Sequence, residues 1–587
     1  MTVYAIALIL PPLLAYNRTP SATQLNELLC VFGWGLCMLL HTGTPPAGAR
    51  RGALNVLFAA LTVLSLAVVA SWTIGSLPTS LALPPLALLI VAGFVAALGA
   101  RVAQGGEQDG VQAFTPFAFG VVIVGCLSAV IAVIQVYFPS VAALADGKLV
   151  AESGLPGRAI GNLRQPNHLA SLLVWSVIAL VPLVEWKRIP GWLGAILGLF
   201  IMVGVVLSGS RTGLIGGVAV LVLWGLCDTR LSRRTRILLV ATVVFPLGVR
   251  AWSWLASHLS FIPHAVGAAT RVSEGDSSHF AIWKNAVEMV HQQPWLGVGW
   301  GEFNFAWTLT PFPHRPTAFF DNAHNLPLQF IVELGAPLAA LVLALLIWAL
   351  VQGLMRAWDT KGDAGHGARA AWVMILMIAI HSLDEYPLWY AYFLLPAAWA
   401  WGFTLGSGPA PRPAEEPTLS GVVGSRPLDS GKLIRLSSEG AGLRWFGGVM
   451  VAVALLLTFD YWRVSTIFLD DADTPLADRI AAGETSLFFA HHADYAEATT
   501  ADPPSRALGA LEHATHSLLD SRLMMAWANA LAESGQTERA RYLVARLREF
   551  DKTDTEEFFA PCADATVTVK PFQCRPEPKG LTWRDFQ

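Results

Sequence analysis

Six side chains combine a residue type and a setting that can carry chemistry: His324, Arg211, Gln165, Tyr386, Arg158 and Arg164. Each stands beside a long apolar run, where a charged or strongly hydrogen-bonding group is costly and usually has a partner. Arg211 closes the tight turn Ser208-Gly209-Ser210-Arg211-Thr212 between two such runs. A guanidinium with little water around it calls for an anion, and its planar fork of donors matches phosphate. The plainer alternative is an arginine snorkelling to an interface. Arg164 and Gln165 lie in Gly161-Asn162-Leu163-Arg164-Gln165-Pro166-Asn167-His168, with Arg158 just upstream. Pro166 favours an extended residue before it, which fixes this pair at a helix mouth as ligand contacts or as a polar cap.

His324 belongs to Asp321-Asn322-Ala323-His324-Asn325-Leu326-Pro327, where a hydrophilic stretch returns to an apolar one. An imidazole there can take a proton from a hydroxyl nucleophile or donate a hydrogen bond to phosphate. Upstream lie Arg271, the stretch Phe280 to Ala286, and Pro294-Trp295-Leu296-Gly297-Val298-Gly299-Trp300-Gly301, whose glycines permit close backbone approach. Tyr386 sits in His381-Ser382-Leu383-Asp384-Glu385-Tyr386-Pro387-Leu388-Trp389-Tyr390. Here Trp389 and Tyr390 also suit an interfacial aromatic belt, and Glu385 and Tyr386 read equally as functional or structural.

The elements that position these residues follow from composition. Of 587 residues, 54% are hydrophobic and only 14% charged, against roughly 25% charged in soluble domains, so a soluble fold is excluded. Runs long enough to cross about 30 Å of hydrocarbon recur at 3–15, 25–40, 54–72, 81–98, 114–137, 168–186, 192–207, 212–226, 237–255, 326–354, 371–381, 389–405 and 445–462, or about thirteen spans. The run at 3–15 lacks a basic leader and a small-residue cleavage site, so it is expected to stay as a short first span. The expected class is an all-α polytopic membrane protein with a large outer loop at 256–325, a cytoplasmic linker at 406–443 rich in Gly, Pro and Ser, and a helical outer domain at 463–587. The transmembrane domain then covers 1–462.

If the spans alternate, the basic loops at Arg50 and Arg51, Arg101, Lys187 and Arg188, Arg230 to Arg236, Arg356 to Arg369 and 412–444 share one side. The positive-inside rule makes that side the cytoplasm, and with it the N-terminus. The polar clusters and the C-terminal domain then face outward. Cys30, Cys37, Cys126 and Cys227 fall in or beside apolar segments, as small hydrophobes do. Cys562 and Cys574 sit in the hydrophilic tail, where a disulfide requires an oxidising compartment, in agreement with that orientation. In the tail, Leu523 to Phe550 reads as helix, Gly-containing turn and helix, either one unit of the tetratricopeptide type or an ordinary helical hairpin.

The net charge of −3 gives no field for nucleic acid. No zinc-finger or HExxH spacing, Walker A motif or dinucleotide glycine motif is present. An enzyme built this way must draw its driving force from the substrate, and a lipid pyrophosphate donor meets that need because its leaving group is already activated. A lipid-linked-glycan transporter is the non-enzyme alternative. It is disfavoured because the polar residues gather at one face rather than along the midplane.

The order of the motifs above, from the stretch Gly161 to Ala170 through Ser208 to Gly213, Phe280 to Ala286, Pro294 to Phe303 and Asp321 to Pro337 to Asp384 to Phe393, resembles the O-antigen ligase and polymerase superfamily. Within it, the sequence is most similar to bacterial O-linked protein oligosaccharyltransferases that glycosylate pilins. The resemblance covers about 158–405. It implies a GT-C-like helical membrane enzyme of the bacterial inner membrane, working with no cofactor and no metal. It also implies en bloc transfer of a glycan from an undecaprenyl-pyrophosphate-linked donor to Ser or Thr hydroxyls of a periplasmic acceptor protein such as pilin, amid membrane lipids and no nucleic acid. His324 matches the family's essential loop histidine, Gln165 its glutamine, and Arg211 its arginine after the serine turn. Its tyrosine corresponds to Tyr386 or Tyr390, of which Tyr386 is chosen. Arg158, Arg164 and Arg211 are expected to bind the donor pyrophosphate. An O-antigen ligase acting on lipid A core and a repeat-unit polymerase are the rival readings, since acceptor choice is not legible in these motifs.

Overall fold

The computed structural model describes residues 2–41, 52–104, 107–155, 157–249, 251, 278–408, 430–470 and 473–587. Arg271, the loop portion 256–277, the basic residues Arg50 and Arg51, and the linker portion 409–429 lie outside them. Every named element among the described residues is a helix. Eight are long and apolar enough to cross a membrane: Asn55–Thr73, Thr79–Ala103, Gly110–Tyr137, Pro166–Glu185, Gly191–Ser208, Leu326–Asp359, Gly362–His381 and Ala441–Phe468. A helix satisfies its own backbone within hydrocarbon, so the chain is an all-helical multi-pass membrane protein.

The other five expected runs form shorter pieces. The run at 3–15 is divided into Thr2–Leu8 and Leu10–Leu13, where two prolines lie in the second piece. The helices Gln24–Leu39 and Ala391–Gly406 have 16 residues each. A π-helical segment Thr212–Gly217 precedes the helix Val218–Cys227. The run expected at 237–255 begins inside the helix Arg233–Ala241, is interrupted by a turn at 242–243 and is helical again over 244–249. The helix Ser430–Ser465 starts inside the stretch expected to be a linker.

By contact the chain divides into two compact units. The first comprises residues 1–59, 91–275 and 345–456; the second comprises 60–90, 276–344 and 457–587.

In the first unit the helix Pro166–Glu185 is central: 89% of its apolar window is buried, against 22% for the peripheral Ala441–Phe468. It packs against Gly110–Tyr137, Gly191–Ser208 and Gly362–His381. The unit has two chemically different ends. At one, Trp186 Nε1 donates to the Asp363 carbonyl (3.0 Å), Glu185 accepts from the Ser232 N–H (3.2 Å), and Arg230 donates to the Trp358 carbonyl (2.6 Å). These contacts gather three of the expected basic loops, those that begin at Lys187, Arg230 and Arg356. Arg369, expected in a loop, instead lies within the helix Gly362–His381, buried in an ion pair with Asp228 (2.6 Å). At the other end the turns around residues 160, 210 and 385 meet.

In the second unit one apolar core joins loop residues Ile282, Phe303, Phe305, Trp307 and Phe320 to tail residues Leu511, Leu523, Trp527, Tyr542 and Phe550, beside a smaller cluster of Val68, Leu77 and Ala82. The two outer pieces read separately in the sequence are therefore one folded body. Polar bonds fix the register. Tyr542 donates to the Leu309 carbonyl (2.7 Å), Leu519 N–H to Asn304 Oδ1 (2.8 Å), and Arg315 Nε to Glu549 Oε2 (3.0 Å). The Arg315 guanidinium is fully buried among the rings of Trp307, Phe312 and Phe550. Burial draws its pKa down to about 10 while Glu549 opposes the shift, so it remains a cation. Cys562 and Cys574 form a disulfide in the tail.

Candidate functional site

Gln165 is the N-cap of the helix Pro166–Glu185, extended at φ −144° as its position before proline requires. Its Oε1 accepts from the His168 N–H (2.8 Å), and its Nε2 points to Glu385 Oε1 (3.4 Å). Asn167 donates to the same carboxylate oxygen at 2.7 Å. The cap and the ligand-contact readings of this motif therefore coexist in one residue. Glu385 is only 5% exposed and gathers two amides from the neighbouring helix, so it belongs to the site on geometry. The loop before the helix is pinned by Gln135, whose Oε1 accepts from Ile160 and Gly161 N–H (3.0 and 2.9 Å) and whose Nε2 donates to the Ala151 carbonyl (2.6 Å).

The serine turn joins this cluster. Thr212 Oγ1 donates to Asp384 Oδ2 (2.7 Å), which ties the start of the π segment to the turn carrying Glu385 and Tyr386. π-Helical turns recur at functional sites, and this one immediately follows Arg211. A Cβ on Gly213 would lie 2.3 Å from the Ala170 side chain, so the segment sits hard against the central helix. Arg158 Nε donates to the Ser208 carbonyl (3.0 Å), which places Arg158 against the turn that holds Arg211. Arg164, at φ +59°, points elsewhere and donates to the Ala15 carbonyl (2.8 Å) and Asn17 Oδ1 (3.0 Å). Burial lowers its pKa from the ordinary guanidinium value.

Tyr386 and Tyr390 stack at 5.9 Å between centroids, and Tyr390 lies edge-on to His168 at 4.6 Å. Both tyrosines are half-buried members of one aromatic group, so geometry does not rank Tyr386 above Tyr390. Deeper in the bundle Ser171 Oγ and His381 Nδ1 are 2.8 Å apart, a buried pair beneath the cluster.

His324 belongs to the second unit. It is half-buried, with φ +49° in the left-handed region that a side chain disfavours. Three contacts impose this turn. The His324 N–H donates to Asn322 Oδ1 (2.8 Å), Trp283 Nε1 to the Ala323 carbonyl (2.8 Å), and the Ala323 N–H to Gln329 Oε1 (2.7 Å). Gln329 in turn donates to Glu333 Oε1 (2.9 Å), which also accepts the Gly301 N–H (3.0 Å). The helix Leu326–Asp359 breaks just beyond, at Gly335. The break leaves carbonyls of Val332 and Glu333 to accept N–H groups of Val298 and Gly299 (2.9 and 3.0 Å). The glycine-rich loop stretch thus achieves its close approach to a helix backbone.

Sequence reasoning missed His279, whose ring stacks on His324 with centroids 4.8 Å apart and planes inclined 22°. One signal was available: His279 precedes Trp283 by four residues, hence shares its helix face.

Three family profiles match parts of the chain: one described as O-antigen ligase over residues 193–343, one as virulence factor membrane-bound polymerase, C-terminal, over 369–557, and one as protein glycosylation ligase over 159–183. A General O-oligosaccharyltransferase of Acinetobacter baylyi is 27% identical over 270 residues, covering 43% of this chain and 45% of that protein. A ComP-specific O-oligosaccharyltransferase of the same organism is 25% identical over 252 residues, covering 43% and 44%. The chain spans less than half the length of these curated relatives.

Proposed function

We propose that this chain, which belongs to the O-antigen ligase and polymerase superfamily, is a glycosyltransferase that moves a preassembled glycan from undecaprenyl pyrophosphate to a Ser or Thr hydroxyl of a periplasmic protein such as pilin. The observation that carries this reading is the protein glycosylation ligase match at 159–183. That stretch holds Gln165 and Asn167, the amides that converge on Glu385. The names of the two relatives support a protein acceptor.

In this reading the acceptor oxygen attacks the anomeric carbon from the side opposite the pyrophosphate. The new glycosidic C–O bond forms as the C–O bond to phosphate breaks, and the configuration inverts. Arg211, with Arg158 against the same turn, holds the pyrophosphate and stabilises the charge that leaves with it, while Arg164 ties its loop to Ala15 and Asn17. His324 either takes the hydroxyl proton or donates a hydrogen bond to the departing phosphate. Gln165 and Tyr386 orient the reacting groups. No nucleotide or metal is required, because the leaving group is already activated. The protein lies in the bacterial inner membrane with its N-terminus cytoplasmic and the domain 463–587 periplasmic. The gathering of basic loops at one end and the Cys562–Cys574 bridge support that orientation.

The test is glycan transfer in cells lacking the endogenous enzyme but supplied with lipid-linked oligosaccharide, a pilin and a lipid A core. Glycosylated pilin in wild type, lost in His324→Ala at equal expression and membrane insertion, is expected. Transfer retained by His324→Ala would sink the site. Because the O-antigen ligase profile matches 193–343, a second reading stands beside the first: glycan found only on lipid A core would make the protein a ligase.

A further inference from the structure

We infer that His279 is a positioning residue for His324, holding its imidazole plane for the chemistry through ring stacking. This rests on the role proposed above for His324. A non-glycine residue in the left-handed region persists only where its surroundings over-determine it. The backbone around His324 meets that condition through Asn322, Trp283 and Gln329. A backbone lock still leaves the side-chain torsions to be set, and two aromatic groups set them. Phe320 presents its edge at 5.4 Å and 90°, and His279 its face at 4.8 Å and 22°. A stacked contact bears on the plane of the ring, and that plane decides where its nitrogens aim when the residue exchanges a proton or meets a phosphate oxygen.

One helix supplies both restraints. Trp283 stands one turn beyond His279 on Ser278–Gln292, so the same face that grips the Ala323 carbonyl carries the stacking ring. Tilting this helix would therefore move the backbone and the imidazole together.

The experiment is steady-state transfer by the purified full chain, with undecaprenyl-pyrophosphate-linked oligosaccharide as donor and pilin as acceptor. Wild type is compared with His279→Ala, His279→Phe and His324→Ala, each checked for unfolding temperature. His279→Ala is expected to lose about tenfold in kcat with the donor KM unchanged, the loss a ring pair can supply when it aligns a reacting group. His279→Phe restores a flat face and should return kcat to within about threefold of wild type, a rescue that general loosening of the fold would not give. If His279→Ala does not fold, His279→Leu, which keeps bulk but has no flat face, is expected to show the same loss. Wild-type kcat in the Ala or Leu variant overturns the inference, and so does a Phe variant as slow as they are. Wild-type turnover in His324→Ala would instead overturn the proposed site, which separates the two failures.

Discussion

Replacing His516 by Ala removes one half of a buried pair from the core shared by loop and tail. His516 Nδ1 and Glu302 Oε2 are 2.7 Å apart, with exposures of 4% and 2%. The imidazole also stacks on Phe305 at 4.5 Å. Without it, a Glu302 carboxylate oxygen stays buried with no partner, and removing one member of a buried pair typically costs about 3–5 kcal/mol. For a body of roughly 150–250 residues each kcal/mol is worth about 2–4 °C, so the unfolding transition should fall by about 6–20 °C. The assay is thermal unfolding of the full chain in detergent, followed by the near-ultraviolet dichroism of its buried tryptophans. Glu302→Gln in the His516→Ala background should recover part of the loss, because a neutral amide is cheaper to bury than a charge. Glycan transfer should fall alongside stability, since Ala323 and Phe320, next to His324, belong to the same core. A His516→Ala protein melting within about 2 °C of wild type would refute the reasoning that the loop and tail fold as one.

The break at Gly335 predicts a second sensitive point. Its backbone, at φ +75° and ψ +160°, occupies a region open essentially to glycine alone, and a Cβ would lie 2.2 Å from the Trp295 carbonyl oxygen. Gly335→Ala should cost about 3 kcal/mol or more and depress transfer, and an unchanged unfolding temperature would count against the described loop path. In the tail, burial pushes the Asp494 carboxyl up to about 6, with His513 opposing and Glu497 adding to the shift. Its folded value exceeds the ordinary 3.8, so the fold favours the protonated acid, and the resulting stability is present below about pH 4 and lost as pH rises through about 6. Asp494→Asn should therefore melt higher than wild type at pH 7 to 8, with the difference closing below about pH 4. A gap independent of pH would show that Asp494 is not the titrating group.

The sequence shows the tail from about Asp470 as a separate outer piece, whose removal would then test acceptor recognition apart from stability. The shared core makes that separation impossible, because Trp307 and Phe305 would lose Phe550, Trp527 and His516 as packing partners. Nothing in the local pattern of either segment announces this, since each shows only its own apolar face and not which face it meets.

What the sequence by itself determined was whatever depends on hydrocarbon thickness and local stereochemistry. Apolar runs of this length are read as helices, because a lone segment in lipid satisfies its own backbone groups only in that form, and eight of the expected runs are such helices. Pro166 set the extended Gln165 and the helix start at the same point. Costly polar residues at the ends of apolar runs marked where function would concentrate, and Gln165, Thr212 and the turn at 381–390 do meet in one unit. Tertiary structure alone decided the pairings. Glu385 rather than a ligand receives Asn167, Asp228 neutralises Arg369, and His279 stacks on His324. These partners stand 218, 141 and 45 residues apart in the chain. Periodicity reports which face of a helix is apolar, whereas packing in three dimensions determines which side chain from a distant segment lies across from it.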